Sequence, residues 1–372
     1  MGAAESTTRG AEELLSTMDG ARRRTLALVA DVSGEQMNRV IDPLMSPLAW
    51  DLGHIAAYED LWLAHRCGGA DLLEPELASL YDAFETPRAV RGDIDALDAE
   101  DAVEYLARVR ERTRTLAADA GTEPRDIWEM VLRHEMQHRE TMRQTLAIGG
   151  LLPAGEPTLA ADAGGLSWVD VAAGTFIMGT EGERFSYDNE RPAHEVHVAA
   201  FSIASRPATN GEWRAFVADG GYERAELWSD EGWTWLREEG AGPHPDIATG
   251  AEDAVACHVC WHEAQAFARH AGARLPSEAE WEKAARAGAG AWGALGGCGQ
   301  VWEWTASSFG GYPGFVAHPY PEYSEVFFGE RYRVLRGASW ATDARVASAT
   351  FRNWDLPSRR QIFAGVRLAR DA

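Results

Sequence analysis

The sequence predicts two domains of different class, an all-helical bundle followed by an α+β domain. The chain has 372 residues, which exceeds the usual size of a single domain. Residues 1–152 carry long stretches in which apolar residues recur at helical spacing, whereas residues 166–372 carry short strand-like runs separated by turns. The segment between them, 153–165, is rich in Gly, Pro and Ala without periodicity, and it predicts a linker.

Four long helices are predicted in the first domain. The first carries Leu14 and further apolar residues at near-helical spacing. The second begins at Ser46, which precedes a proline suited to the first helical position. The third covers 99–119, with Val103 among the residues expected to face inward, and the fourth begins near Pro124. Four such helices joined by loops favour a four-helix bundle.

The second domain alternates short strands and helices without a regular βαβ repeat. Strand-like runs are TFIMG, HEVHVAAFSIA, YRVLRG and AGVRLA. Helical stretches are NGEWRAFVADGG, WHEAQAFARHAG and SEAEWEKAARAG. This order indicates an α+β domain rather than a parallel doubly wound one.

The composition favours an enzyme of small molecules. The chain holds 58 acidic and 35 basic residues, a formal net charge of −23. Nucleic acids and anionic membranes bind positive surfaces, so neither is an expected partner. No apolar stretch predicts a membrane helix or a signal peptide. The 4 cysteines do not make a disulfide framework, so we expect a cytoplasmic protein, as a monomer or small homo-oligomer.

Two of the cysteines, Cys257 and Cys260, form a C-x-x-C with His258 between them and His262 just after. Zinc or redox sites use such spacing. Because no second pair completes a four-ligand set, a structural role is favoured over a metal or redox role.

The strongest chemical signal is the segment RHEMQHRE at 133–140. His134 and His138 are four residues apart, so on a helix they project from one face, which here is the apolar stripe. Two satisfied core histidines would explain the pair alone. His54, however, lies in the middle of the second helix, and bundles build metal sites from inward side chains on facing helices. We therefore predict a metal site of these three histidines, with iron and zinc both open.

Two neighbours of the pair are candidates for supporting roles. Gln137 precedes His138 and could hydrogen-bond an imidazole substrate. Glu140 either orients a ligand histidine or is an exposed helix residue.

Longer stretches of the sequence resemble known families. His54 with H-x-x-x-H-x-E in a bundle resembles the DinB-like metal-binding bundle. The second domain resembles the formylglycine-generating-enzyme (sulfatase-modifying-factor) fold, a relative of C-type lectins. The stretches that carry this second resemblance are AAGTFIMGT, DNERPAHEVHV, NGEWRAFV, RLPSEAEWEKAAR, GQVWEWTAS, RVLRGASW and FRNWDLPSRRQIFAGVRLAR. In this order, the two domains resemble the ergothioneine-biosynthesis sulfoxide synthases, or hercynine oxygenases.

The resemblance implies a fold and an activity. The fold is α plus α+β, a DinB-like four-helix bundle followed by a C-type-lectin-like domain. The activity is Fe(II)- and O₂-dependent joining of hercynine (N-α-trimethylhistidine) to γ-glutamylcysteine or cysteine, with sulfoxidation. The iron ligands would be His54, His134 and His138, and the partners are these small molecules.

The C-terminal motif FRNWDLPSRR carries groups that a charged amino-acid substrate needs. Asp355 could take an ammonium group and Arg359 a carboxylate, and for Asn353, Asp355 and Arg359 the resemblance implies a thiol-substrate clamp. Asn353 can donate and accept hydrogen bonds, and Trp354 could pack on a trimethylammonium group. Arg352, Arg360 and Arg367 add to a basic cluster, although pairing with surface acids is favoured for Arg360 and Arg367.

Two further contacts are left as alternatives. Either Arg88 or Arg91, on a bundle loop, could hold a substrate carboxylate. The family also implies a tyrosine that donates a proton, and the segment GYPGFVAHPYPEYSEVFF offers Tyr320, then Tyr323, then Tyr312.

Other functions also stay open. A selenosugar in place of the thiol would make a selenoneine-type synthase, which loss of the Asp355–Arg359 pair would favour. A thiol-dependent transferase or isomerase would keep the metal bundle, but such proteins usually lack the second domain. A non-catalytic lectin-like module is expected to hold His54 far from His134 and His138. Residues 287–300 replace a longer insertion of the family, which leaves the choice of thiol open.

Overall fold

The computed structural model describes residues 2–120, 122–156, 159, 163–182, 185–288 and 290–372. The chain divides into two units, Met1–Glu156 and Pro157–Ala372. Within the predicted linker, residues 157, 158 and 160–162 lie outside the described residues. The prediction of a helical bundle followed by an α+β domain is confirmed.

The first unit is built from four long helices supplemented by two short ones in its described residues. Their bounds are α1 (Gly2–Leu28), α2 (Gly34–Asn38), α3 (Leu48–Glu59), α4 (Pro75–Leu80), α5 (Ala99–Ala120) and α6 (Arg125–Ile148). A π-helical segment, Asp60–Cys67, extends α3 without a break.

Helix α3 is the central element of the bundle. Leu48, Leu52 and Ala56 are fully buried, and neighbouring apolar residues of α5 and α6 pack in the same core. An apolar helix that is buried on most sides is stabilised mainly by this packing. Val103 of α5 was predicted to face the core, and this prediction is wrong. Val103 is 37% exposed, because the buried face of α5 passes through Ala102, one residue earlier.

Four charged side chains are buried together between the long helices. Arg22 of α1 and Arg110 of α5 both donate to Glu59 of α3, at 2.8 Å for the Nη2 atom of Arg22 and 2.8 Å for the Nε atom of Arg110. The same arginines donate to Glu135 of α6, at 2.9 and 3.3 Å. This buried charge network therefore links all four long helices.

The network also sets the acid behaviour of Glu59. Burial alone raises the pKa of a carboxyl group, but Arg110 and Arg22 outweigh it and lower the pKa of Glu59 from 4.5 to about 2. The stabilising contribution of Glu59 is thus present above pH 4.5 and is lost as the pH falls toward 2.

The second unit is an α+β domain. Its helices are α7 (Asn210–Ala218), α8 (Asp230–Glu239), α9 (Pro245–Thr249), α10 (Trp261–His270) and α11 (Glu278–Arg286). Its strands are β1 (Trp168–Val171), β2 (Gly174–Met178), β3 (His194–Val198), β4 (Phe201–Ala204), β5 (Trp302–Phe309), β6 (Gly329–Arg336), β7 (Asn353–Asp355), β8 (Ala364–Gly365) and β9 (Ala369–Asp371).

The described strands form three small sheets. Their orders are β1-β4-β9, β2-β3 and β7-β6-β5-β8, and β5 and β8 pair in parallel while the other pairs are antiparallel. Ser277 caps the N-terminus of helix α11, and its hydroxyl accepts from the backbone N–H of Glu280 in a capping box. Trp281 of α11 is fully buried among apolar strand residues. Among the described residues, none of the helices is long and apolar enough to span a membrane.

The buried charge network predicts a large loss of stability when Glu59 is removed. We expect Glu59→Ala to lower the free energy of unfolding by about 3–5 kcal/mol, because two buried guanidinium groups lose their shared carboxylate. Urea unfolding followed by circular dichroism measures this change.

The matched control is Glu74→Ala. Glu74 pairs with Arg108, but both side chains are at least 40% exposed. Exposed pairs contribute at most about 1 kcal/mol. Equal effects of the two substitutions would contradict the stabilising role given to the network.

Candidate metal centre

Three histidines meet inside the helical unit. His54 projects from α3, and His134 and His138 project from successive turns of α6. One nitrogen from each ring lies within 4.8 Å of the others, and the Nε2 atoms of His54 and His134 are 3.1 Å apart. The structure therefore brings together the three histidines that the sequence singled out.

Two of the rings have protein partners on their far side. The Nδ1 atom of His54 lies 2.6 Å from the backbone oxygen of Tyr81, and that of His138 lies 3.2 Å from the Oδ1 atom of Asp51. Because both partners are acceptors, each Nδ1 carries the proton. The Nε2 atom of each ring then keeps a lone pair, and these lone pairs are available inside the group.

Burial keeps the three rings uncharged. Burial lowers the pKa of His54 to about 3, with the neighbouring His138 as the next cause. Burial also lowers the pKa of His138 to about 3, and the positive charges of Arg91 and Arg88 lower it further. Burial lowers the pKa of His134 well below 6.5. At neutral pH the group thus presents neutral imidazoles, which is the form that binds metals.

The donor set fits a divalent transition metal. Three neutral imidazoles suit iron and zinc, and three ligands leave further positions for exogenous molecules. Aromatic rings support the group from the sides, since Trp50 stacks on His54 at 4.9 Å and Tyr58 stacks on His134 at 3.7 Å between ring centroids. A site with this shape can bind and orient small molecules at one metal.

Sequence reasoning missed the carboxylate that supports His138. Asp51 is fully buried, and burial raises its pKa to about 7 against the opposing effect of Arg91. Glu140, which was considered for such a role, is buried rather than exposed. The available signal was an aspartate inside the apolar run LAWDLGHI, one turn before His54 on the same helix.

The carbonyl partner of His54 was also missed, and it depends on Gly53. A Cβ atom at this position would lie 2.2 Å from the Cζ atom of Tyr81. Only glycine therefore lets the Tyr81 ring pack directly on α3, which keeps the Tyr81 carbonyl beside His54. The Tyr81 hydroxyl in turn accepts from the backbone N–H of Leu97 at 3.0 Å.

The two candidate arginines of the bundle loop differ in their surroundings. Arg91 is buried, donates to the Thr86 carbonyl and the Ser46 hydroxyl, and lies 3.5 Å from the centre of the Trp50 ring. Arg88 is exposed, yet its charge still contributes to the low pKa of His138. Gln137 is partly buried on α6.

In the second unit, the predicted substrate residues lie on and after an edge strand. Asn353, Trp354 and Asp355 form β7, which pairs with β6. The Asp355 carboxylate lies 4.0 Å from the buried Arg359 guanidinium. Trp354 stacks on Phe309 with ring centroids 4.2 Å apart, so one face of the indole is already covered.

Arg352, Arg360 and Arg367 do not form a substrate-facing group. The expectation that Arg360 and Arg367 pair with acids is confirmed, and only Arg352 departs from its prediction. Each of the three pairs with a carboxylate of the same unit: Arg352 with Glu278 at 2.8 Å, Arg360 with Glu263 at 3.1 Å and Arg367 with Glu303 at 2.6 Å. Pairing with acids was favoured for two of them, but Glu263 and Glu303 are buried rather than on the surface.

The candidate tyrosines lie in an aromatic cluster of the second unit. Tyr323 stacks on Tyr187 at 4.9 Å and meets the edge of Trp354 at 6.3 Å, and Tyr320 lies 6.2 Å from Tyr323. Both are partly buried. Tyr312 is buried near Arg352, and burial raises the pKa of its hydroxyl.

Comparison with known proteins matches both units. The DinB superfamily model matches residues 17–142. The model of the sulfatase-modifying factor enzyme 1-like domain matches 160–293 and 289–372.

Full-length relatives are found as well. A hercynine oxygenase of Mycolicibacterium thermoresistibile is 41% identical over an alignment of 432 positions, covering 96% of this chain and 95% of the relative. One of Mycobacterium tuberculosis is 40% identical over 429, covering 97% and 99%. A formylglycine-generating enzyme of Streptomyces coelicolor is 37% identical over 150 residues, but covers 32% of this chain and 47% of that enzyme.

The contact between Asp51 and His138 predicts a role in metal affinity. We expect Asp51→Asn to weaken binding of a divalent metal by about 10- to 100-fold at pH 8, above the pKa of Asp51, because the ionised acceptor that orients the ring is lost. Anaerobic titration with Fe(II) against a competing chelator measures the affinity.

Asp60→Asn serves as the control. Asp60 is equally buried in the continuation of α3, but its carboxylate pairs with Arg112 at 3.0 Å. If both variants bound metal as tightly as the wild type, Asp51 would have no such role.

Proposed function

Because the chain belongs to the hercynine oxygenase family, which matches it over nearly its full length, we propose that it joins hercynine to γ-glutamylcysteine or cysteine, using Fe(II) and O₂. Membership makes the chain an oxygenase, so the alternative of a non-catalytic binding module is wrong. The short distance between the rings of His54 and His134 also removes the structural argument for that alternative.

The proposed reaction balances without an external reductant. The imidazole loses the hydrogen on C2, and the thiol loses the hydrogen on sulfur. A bond forms between C2 and sulfur, one oxygen atom of O₂ ends on sulfur as the sulfoxide, and the other leaves as water with the two hydrogens. The carbon and sulfur centres together supply the four electrons that reduce O₂.

The observation that carries the proposal is the group of three neutral imidazoles. His54, His134 and His138 would hold Fe(II) through their Nε2 atoms. In His54 and His138, the Nδ1–H group already donates a hydrogen bond, to the Tyr81 carbonyl and to Asp51 respectively. Bound Fe(II) would supply a binding position for the thiolate and would activate O₂. Zinc can bind a thiolate, but it has no redox chemistry with which to activate O₂. The protein's contribution is to fix the ring orientations and to keep them unprotonated.

A polar and an aromatic residue of the chain would recognise hercynine. Gln137, next to His138 on α6, would hydrogen-bond the hercynine imidazole. Trp354 would contact the trimethylammonium group through its ring, a cation–π contact of about 0.5–2 kcal/mol.

The thiol substrate carries both an ammonium group and a carboxylate. Asp355 and Arg359 lie side by side and can take one group each. Of the two bundle arginines, Arg88 is the better candidate for a further carboxylate, because Arg91 already donates to Thr86 and Ser46.

A tyrosine would donate the proton that the reduced oxygen needs. Tyr320 stays our first candidate and Tyr323 the second. The stacking of Tyr323 on Tyr187 supports a packing role for that ring, which favours Tyr320 further.

The direct test is incubation of the chain with Fe(II), hercynine, air and either thiol, followed by mass analysis. The expected product has the summed mass of both substrates plus one oxygen atom and minus two hydrogen atoms. We expect His138→Ala to lower the rate at least about 100-fold, since a lost ligand should matter more than a lost outer partner.

His65→Ala is the matched control, because His65 is exposed on the π-helical extension of α3. It should keep full activity. Absence of coupled product from the iron-loaded wild type with both thiols would overturn the proposed function.

The clamp assignment predicts a selective kinetic defect. Arg359→Gln should raise the KM for the thiol about 10- to 100-fold, the loss expected for a charge-assisted hydrogen bond. The KM for hercynine should stay unchanged, as should both constants in Arg331→Gln, which changes an exposed arginine of the same unit. An equal rise of both KM values in Arg359→Gln would argue against a thiol clamp.

A further inference from the structure

A second group of metal-binding side chains lies in the α+β unit. It consists of His244 and Asp246 at the start of α9, together with His258, which precedes α10. The Oδ2 atom of Asp246 lies 3.6 Å from the Nδ1 atom of His244 and 3.8 Å from the Nε2 atom of His258. These donor atoms all lie within 4.8 Å of one another, so one ion could contact all three after small side-chain movements.

The backbone aims His258 at this group. His258 is 5% exposed and has a φ of 62°, a left-handed conformation that non-glycine residues rarely adopt. Its Nδ1 atom lies 3.2 Å from the backbone oxygen of Arg360. Since a carbonyl only accepts, Nδ1 carries the proton, and the Nε2 lone pair faces Asp246. The same arrangement of an outer carbonyl and an inner lone pair is typical of metal-bound histidines.

His244 differs from His258. Its Nδ1 atom accepts from the backbone N–H of Asp246 at 3.3 Å, so this nitrogen carries the lone pair, and binding an ion through it would replace this long hydrogen bond. The His244 and His258 rings stack at 4.4 Å between centroids. Burial lowers the pKa of His244 to about 4 and also lowers the pKa of His258, so both rings are neutral at pH 7.

The charges around the group permit a cation. Asp246 contributes a carboxylate that is 69% exposed on its side chain, which leaves the site open to solvent ions. Arg360 is the nearby positive charge, but it is paired with the buried Glu263 at 3.1 Å and donates to the Gly242 carbonyl. The cysteines that drew attention to this segment, Cys257 and Cys260, are buried, and burial raises the pKa of both thiols.

We propose that His244, Asp246 and His258 form a second metal site, which takes a divalent transition metal of the zinc class through two imidazole nitrogens and one carboxylate oxygen. This donor set suits Zn²⁺ and its neighbours, with solvent completing the coordination. An ion at this site would connect His244 and Asp246 to His258. His258 in turn donates from Nδ1 to the backbone carbonyl of Arg360, the residue after Arg359. The site would therefore stiffen the segment that carries the proposed thiol clamp.

The test uses the untagged full chain carrying His134→Ala and His138→Ala, which removes the ligands of the bundle site. Equilibrium dialysis against ZnCl₂ should still show one bound equivalent. Adding Asp246→Asn should weaken this binding at least about tenfold, the size of effect that even outer partners of a metal have.

Two further variants separate ligation from folding. His258→Asn is suitable because asparagine tolerates a positive φ, and it should abolish zinc binding while circular dichroism stays unchanged. His270→Ala is the control, since His270 pairs with a single carboxylate, Asp219, at 3.0 Å and should not affect zinc. Absence of bound zinc in the double histidine variant, or undiminished binding after Asp246→Asn, would overturn the proposal.

Discussion

The helical unit depends on the two arginines and two glutamates that are buried together between its long helices. Glu59 and Glu135 belong to α3 and α6, the helices that carry the three histidines. Arg22 and Arg110 hold both carboxylates from the opposite helices, α1 and α5. A buried ion group tolerates little displacement, because each unpaired charge would be costly. The network therefore fixes the position of α3 against α6, and this position sets the distance between His54 and the His134–His138 pair.

The second constraint is the placement of protons on the imidazoles. Three polar rings in a bundle core are destabilising unless each ring nitrogen is hydrogen-bonded or bound to a metal. Tyr81 and Asp51 use the outer nitrogens of His54 and His138, which leaves their inner nitrogens as donors to a shared ion. Gly53 contributes by letting Tyr81 approach α3 closely. Residues that hydrogen-bond or pack around the histidines, but would not contact the metal, thus orient the three rings for metal binding.

The sequence predicted what depends on short-range periodicity. The helices, the change to strands and the histidine pair on one helical face all follow from spacings of a few residues. Asp51 was missed because an aspartate inside an apolar run indicates a buried carboxylate but does not identify the residue that it contacts. The Tyr81 carbonyl was beyond reach, since a backbone acceptor is independent of residue type.

Long-range pairing explains why Arg352 was wrongly assigned to a substrate-facing group, and why the partner of Arg367 could not be named. Arg352 finds Glu278 at a separation of 74 residues, and Arg367 finds Glu303 at 64. Neither pair has a local signature, so a run of arginines near the C-terminus resembled one substrate-binding cluster.

The central claim is that the three histidines of the bundle hold the reactive iron. Anomalous diffraction at the iron absorption edge, from crystals grown anaerobically with Fe(II), tests it most directly. We expect the strongest anomalous peak at about 2.1 Å from the Nε2 atoms of His54, His134 and His138, a usual metal–imidazole distance. A strongest peak bound to other residues, with no iron between these rings, would contradict it.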